Sequence, residues 1–276
     1  MFGFGNKKTA TEGRLKILVL TGNSPRHYYF ANRLAETYHL VGVVSEATKP
    51  HLLSEIATQH PLVRLYYTNI LEKEVLYFGK HRQFATELHQ LRTIGYGQIH
   101  TNTVQSFITE RNPDYIITFH ASLLDAALVT PYKERVLHLH NGLINYYNGS
   151  NATLWPIIDG RMECVGMTVH LIESDNDSGR VLGQIRPALS ATDTIADIDL
   201  KSVVAGTTLM EQCIHQFHQR RLTLREVSAT PQTHVPEDLT PDKILKAKQL
   251  FEQGVMQTYI SQQKHLQQTA PIEEVR

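Results

Sequence analysis

The stretch Lys16-Ile-Leu-Val-Leu-Thr21, continued by Gly22-Asn-Ser24, by Pro25 to Tyr38 and by Leu40-Val-Gly-Val-Val44, decides the fold. Its first and last runs are short and apolar. Between them Tyr29, Phe30, Leu34 and Tyr38 recur at helical spacing behind a proline. A buried strand, a helix and a second buried strand within about thirty residues is the grammar of a parallel sheet with a right-handed crossover. Before it, Met1 to Gly13 lacks periodicity and reads as a loose leader. After it, Pro50 to His100 reads as mostly helical, with Phe84, Leu88 and Leu91 at i, i+4 and i+7.

The alternation then resumes. Thr103 to Arg111 reads as helix, Asp114 to Phe119 as strand, Leu123 to Val129 as a short helix and Val136-Leu-His-Leu-His140 as strand. A polar loop from Asn141 to Asn151 precedes a short helix that anchors Trp155 in the core. Val165 to Ile172 and Arg180 to Arg186 are strand-like and flank an acidic turn, and Asp197 to Phe217 has the spacing of a long amphipathic helix. Helical spacing returns from Pro241 to Ile260, before a Gln-rich end that reads as solvated. The expected class is α/β, an open and mostly parallel sheet with a helical C-terminal extension. The boundaries follow as leader 1–13, α/β domain 14–195, extension 196–262 and flexible tail 263–276.

The chain has 276 residues, with 27 Lys plus Arg against 27 Asp plus Glu, and its pI is near 7.3. A balanced surface disfavours bulk nucleic acid or an anionic membrane as the main partner. Leu15 to Leu20 is too short to span a bilayer and is broken by Lys16, and no signal peptide is visible. Two cysteines, Cys164 and Cys213, are too few for a disulfide framework, which suits a reducing, cytoplasmic setting. The 15 histidines are the unusual supply, because imidazole changes its charge near neutral pH.

Ligands of open α/β sheets bind outside the carboxyl ends of the strands. That rule gathers Thr21 to His27, His120 to Leu124 and His140 to Leu143, together with the acidic turn carrying Asp175 and Asp177. His138 and His140 are two apart on one strand and therefore share a face. The turn Gly22-Asn23-Ser24 opens a helix and suits an anionic group with Arg26 assisting, although a plain helix cap explains the same residues. His170 reads as a cross-strand polar partner, and His215 with His218 as a solvated helix face.

Leu139-His-Asn-Gly-Leu-Ile-Asn-Tyr-Tyr-Asn-Gly149 with Trp155, then Val165-Gly-Met-Thr-Val-His170 and Asp177-Ser-Gly179, resembles the folate-dependent formyltransferases, nearest the branch with amino-sugar acceptors. The resemblance runs from about Lys16 to Ile260 and implies that family's Rossmann-like fold. It also implies 10-formyltetrahydrofolate as the donor, a small amine as the acceptor and no metal. His140 matches the family's catalytic histidine and Asp177 its aspartate, while His138 stands where the family has asparagine. Transfer needs a base for the amine proton and donors for the oxyanion, so His138 must donate in the asparagine's place or Asn141 beside it must. The resemblance lays the pterin along Phe119, His120, Ser122, Leu123, Leu124 and Asp175. The acceptor is expected on Gly22, Asn23, Ser24, Arg26, Asn141 and Tyr147. Two other functions fit the same residues: a binding protein silenced at His138, and a hydrolase or deformylase holding a metal on His138, His140 and Asp177. A homodimer through the C-terminal helices is compatible with the pattern.

Overall fold

The computed structural model describes residues 13–48, 60–173, 179–226 and 231–275. β1 (Lys16–Thr21) is buried from Ile17 onward, and its side chains alternate between two apolar clusters, Ile17 and Val19 in one, Leu18 and Leu20 in the other. A strand covered on both faces needs helices on both faces. α1 (Pro25–Thr37) supplies Phe30, Ala31 and Leu34 to the first cluster. After β2 (His39–Glu46), α2 (Pro61–Tyr77) and β3 (Leu91–Ile94), α3 (Asn102–Arg111) supplies Val104, Phe107 and Ile108 to the second.

β4 (Tyr115–Phe119), the short α4 (Ala126–Val129) and β5 (Val136–His140) follow, then β6 (Tyr147–Gly149), the short α5 (Trp155–Ile158), β7 (Met167–Leu171) and β8 (Val181–Ile185). The seven-stranded sheet has the order β3-β2-β1-β4-β5-β7-β8. β3 through β5 pair in parallel and β7 runs antiparallel to both neighbours. The strand order reverses between β1 and β4, the place where such sheets bind ligands. α6 (Ile195–His218) crosses the first face and buries Leu200, Val203, Leu209 and Met210 there. It lies close because Gly206 has no side chain: a Cβ there would come within 2.9 Å of Met167 and 3.0 Å of Leu139.

A smaller unit packs beside the sheet. β9 (Gln232–His234) pairs in parallel with β6, and α7 (Pro241–Glu252) and α8 (Val255–Thr269) share a cluster with Tyr147, Trp155 and Ile198.

Three segments differ from their expected form. Phe84, Leu88 and Leu91 do not form a helix; Phe84 is buried, Leu88 is 88% exposed and Leu91 opens β3. Only Leu88–Gln90 forms a single 3-10 turn there, and the α-helix of this region lies earlier, capped by His60, whose ring accepts from the Leu62 N–H, with Pro61 as its first residue. α6, expected to begin an extension, is part of the sheet's cover, and residues 263–269 continue α8. The chain then returns to the sheet edge, where the Gln184 N–H donates to Glu273 O at 2.6 Å. Met256 and Tyr259 on α8 and Ala270 just beyond it are buried, while Gln257, Gln262 and Gln268 are exposed.

Candidate functional site

β5 alternates cleanly. Leu137 and Leu139 enter the first cluster, so His138 and His140 face the other side of the sheet, where β7 opposes them with His170 and Thr168. A cavity of about 580 Å³ opens beyond the ends of β4 and β5, with His120, His138, His140 and Asn141 in its wall. That volume suits a medium-sized organic ligand. Leu124 and Ile172 give it apolar surface. Its far rim is Asn148 to Ala152 together with Thr233 to Pro236, held together by the pairing of β6 with β9.

His140 is buried and His138 half-buried, and burial, together with the nearby His170 and His120, holds the His138 pKa well below its ordinary value. His138 is therefore a neutral imidazole near pH 7, with Nδ1 hydrogen-bonded to the Thr118 hydroxyl. The carboxamide oxygen of Asn141 is buried and has no hydrogen-bond partner among the described residues.

A second group of imidazoles reaches the cavity from the first turn of α1. The Ser24 N–H donates to His27 Nδ1 at 3.0 Å, so the His27 proton sits on Nε2, which donates to His120 Nδ1 at 3.1 Å. Burial keeps His27 neutral by lowering its pKa strongly. His120 has a left-handed φ of 54°, stacks on Phe119 and opens on its other side to the cavity. Desolvation of its ring, then the charge of Arg26, lowers the His120 pKa to about 4. His120 also borders a smaller cavity of about 340 Å³ formed with Gly22, Thr48 and Ser122. Ser122 is fixed there by Glu46, which accepts from both its N–H and its hydroxyl.

Not every expected site residue comes to the cavity. Arg26 is buried with its guanidinium on Glu74 at 2.7 Å and Asp199 at 2.9 Å, so it is spent inside the protein instead of being presented to an anion. Ser24 caps α1 and its hydroxyl donates to Glu74. Asn23 is turned to Thr48. Tyr147 is fully buried in the smaller unit, donating to Asp159 at 2.9 Å, because its ring gains more by burial than it would in an open loop. Phe119 is likewise core and supports His120 from behind, whereas Leu123 is 68% exposed at the cavity wall. Asp175 and Asp177 lie outside the described residues. The sequence reading missed Thr233 to Pro236. No apolar-polar alternation marks that segment, because its strand, Gln232-Thr-His234, is polar throughout.

A model of the formyl transferase family matches residues 15–214, which include β1, β4, β5 and the histidine face just described. The chain belongs to that family. GDP-perosamine N-formyltransferase of Brucella melitensis is 28% identical over 133 residues, 47% of this chain and 51% of that enzyme. The chain thus spans about half the length of the curated relatives it matches. Among solved structures, glycinamide ribonucleotide transformylase 1 of Symbiobacterium toebii superposes with a TM-score of 0.53 at 16% identity, over 81% of this chain and 99% of that one. The N-formyltransferase of Helicobacter canadensis in complex with folinic acid and dTDP-3-aminofucose gives 0.50 at 12% identity, over 83% and 79%. The last two establish a shared fold for this formyl transferase family member. Among the described residues no helix is long and apolar enough to cross a membrane.

Proposed function

We propose that this chain transfers a formyl group from 10-formyltetrahydrofolate to the amine of a small acceptor, an amino sugar carried on a nucleotide. The observation that carries the reading is His140 and His138 together in the wall of a cavity at the strand ends, within a formyl transferase family chain. GDP-perosamine N-formyltransferase and the dTDP-3-aminofucose complex supply the acceptor class by analogy. Membership of this family favours group transfer over the hydrolase alternative.

The cavity fits a flat, hydrogen-bonding heterocycle, with Leu124 and Ile172 as apolar wall and the unpartnered Asn141 carboxamide as a polar contact. His120, Ser122 and Leu123 line the same wall, and the family resemblance adds Asp175 to the contacts of the pterin. When bound, 10-formyltetrahydrofolate supplies the formyl carbon. His140 accepts the proton released as the amine nitrogen bonds to that carbon, with Asp177 stabilising the resulting imidazolium, and gives it up to the tetrahydrofolate nitrogen as that nitrogen's bond to the formyl carbon breaks. His138 and Asn141 face the formyl oxygen with N–H donors as its negative charge develops. The acceptor enters between the Asn148 to Ala152 loop and Gly22. The reading includes a cytoplasmic enzyme and pairing of two copies through the C-terminal helices.

The test is to follow tetrahydrofolate release with nucleotide-linked amino sugars and, separately, binding of a stable folate analogue. Release coupled to acceptor formylation is expected. Absence of both folate binding and turnover across the aminated sugars would remove the proposal.

A further inference from the structure

We propose that His138, His140 and His170 form a three-imidazole site for a divalent transition-metal ion of the zinc class. Two adjacent antiparallel strands build it. β5 brings His138 and His140 to one face by alternation, and β7 sets His170 directly opposite His138. The His138 and His170 rings are 5.1 Å apart between centroids, and each lies 6.3 Å from the His140 ring.

One ring nitrogen from each of the three lies within 4.8 Å of the others. A tetrahedral Zn²⁺ with Zn–N bonds of about 2.0–2.1 Å needs nitrogens about 3.4 Å apart. Each ring therefore closes by less than about 1 Å to reach that geometry, a displacement within the range of side-chain torsion. The outer contacts are those that ligating histidines use. His170 Nδ1 faces the Leu171 carbonyl at 3.1 Å, and since a carbonyl only accepts, the proton is on Nδ1 and the lone pair on Nε2. His138 turns Nδ1 to Thr118, which fixes the ring from behind. Three imidazoles select zinc, cobalt, nickel or copper over magnesium and calcium, which take oxygen ligands. His138 and His140 line the cavity while His170 is fully buried beneath them, so a fourth coordination position faces the cavity.

One consequence rests on the proposed formyl transfer: an ion held here takes the His140 lone pair that accepts the amine proton, so it inhibits the reaction and a chelator restores it. The site itself does not depend on that reading.

The experiment titrates the chelator-treated full chain with Co²⁺, following ligand-field absorption, for the wild type, His138→Asn and His170→Gln. One cobalt per chain is expected, bound about tenfold or more weakly in each variant. X-ray absorption of the Zn²⁺-loaded wild type provides a readout independent of how the variants fold, and three imidazole scatterers are expected. Absence of saturable cobalt binding, affinities unchanged in folded variants, or two or fewer imidazoles would overturn the site. None of these measurements uses folate or acceptor, so a negative result leaves formyl transfer standing, and failed transfer leaves the metal site standing.

Discussion

His140 combines burial with a position in the cavity wall, which is what proton transfer from an attacking amine requires. His140→Ala should lower kcat by about 10²–10⁴-fold, measured as tetrahydrofolate release, with its melting temperature checked in parallel. His138 is held neutral and so donates through one N–H at most. His138→Ala should cost about 10²–10³ in kcat, the usual loss for one oxyanion donor, and His138→Asn should recover most of it. Equal rates for the alanine variant and the wild type would place the donor elsewhere, with Asn141 the nearest alternative. That the two histidines share a face was legible in the sequence, because strand alternation has a period of two. The inward turn of Tyr147 and the engagement of Arg26 by Glu74 and Asp199 were not, since both depend on partners distant in the chain.

At the scale of elements, the far rim of the cavity depends on the pairing of β6 with β9. Gly149 has φ of 80°, and a Cβ there would lie 2.1 Å from the His234 carbonyl oxygen. Gly149→Ala should therefore cost about 1–3 kcal/mol in urea unfolding and raise the acceptor KM, because the rim opens. A variant with unchanged stability and KM would show that this rim takes no part in binding. The opposite side is fixed by charge: Glu74 on α2 joins Arg26 on α1, which also reaches Asp199 on α6. Glu74→Ala leaves a buried guanidinium with one partner, and a loss of about 3 kcal/mol is expected in the same assay. The strands β1, β2, β4 and β5 were legible because each is a short, largely buried and apolar run between turn residues, whereas β3, Leu91-Arg-Thr-Ile94, buries only Ile94 and was read as helix. The rim segment was not, because β9 has three polar residues and is defined only by its pairing with β6, from which β7, β8 and α6 separate it in the chain.

For the whole molecule, the buried histidines set an acid limit. His27 and His138 are kept neutral in the folded chain, with pKa values well below the ordinary 6.5, whereas unfolding exposes them to protonation at that value. The unfolded chain then binds more protons, so stability falls as pH drops below about 6.5, by about 1.4 kcal/mol per pH unit for each group until its own folded value is reached. Urea midpoints taken between about pH 7 and pH 5 should decline with acidity, and flat midpoints would show that these imidazoles are already charged in the fold. The balance of 27 basic and 27 acidic residues gave no guide to a ligand, whereas the topology placed the ligand region at the reversal of strand order. The most direct test of the central claim is the stoichiometry of tetrahydrofolate formed from 10-formyltetrahydrofolate in the presence of nucleotide-linked amino sugars. One tetrahydrofolate per formylated acceptor, lost in His140→Ala, is the predicted result; donor that neither binds nor turns over with any such amine would contradict it.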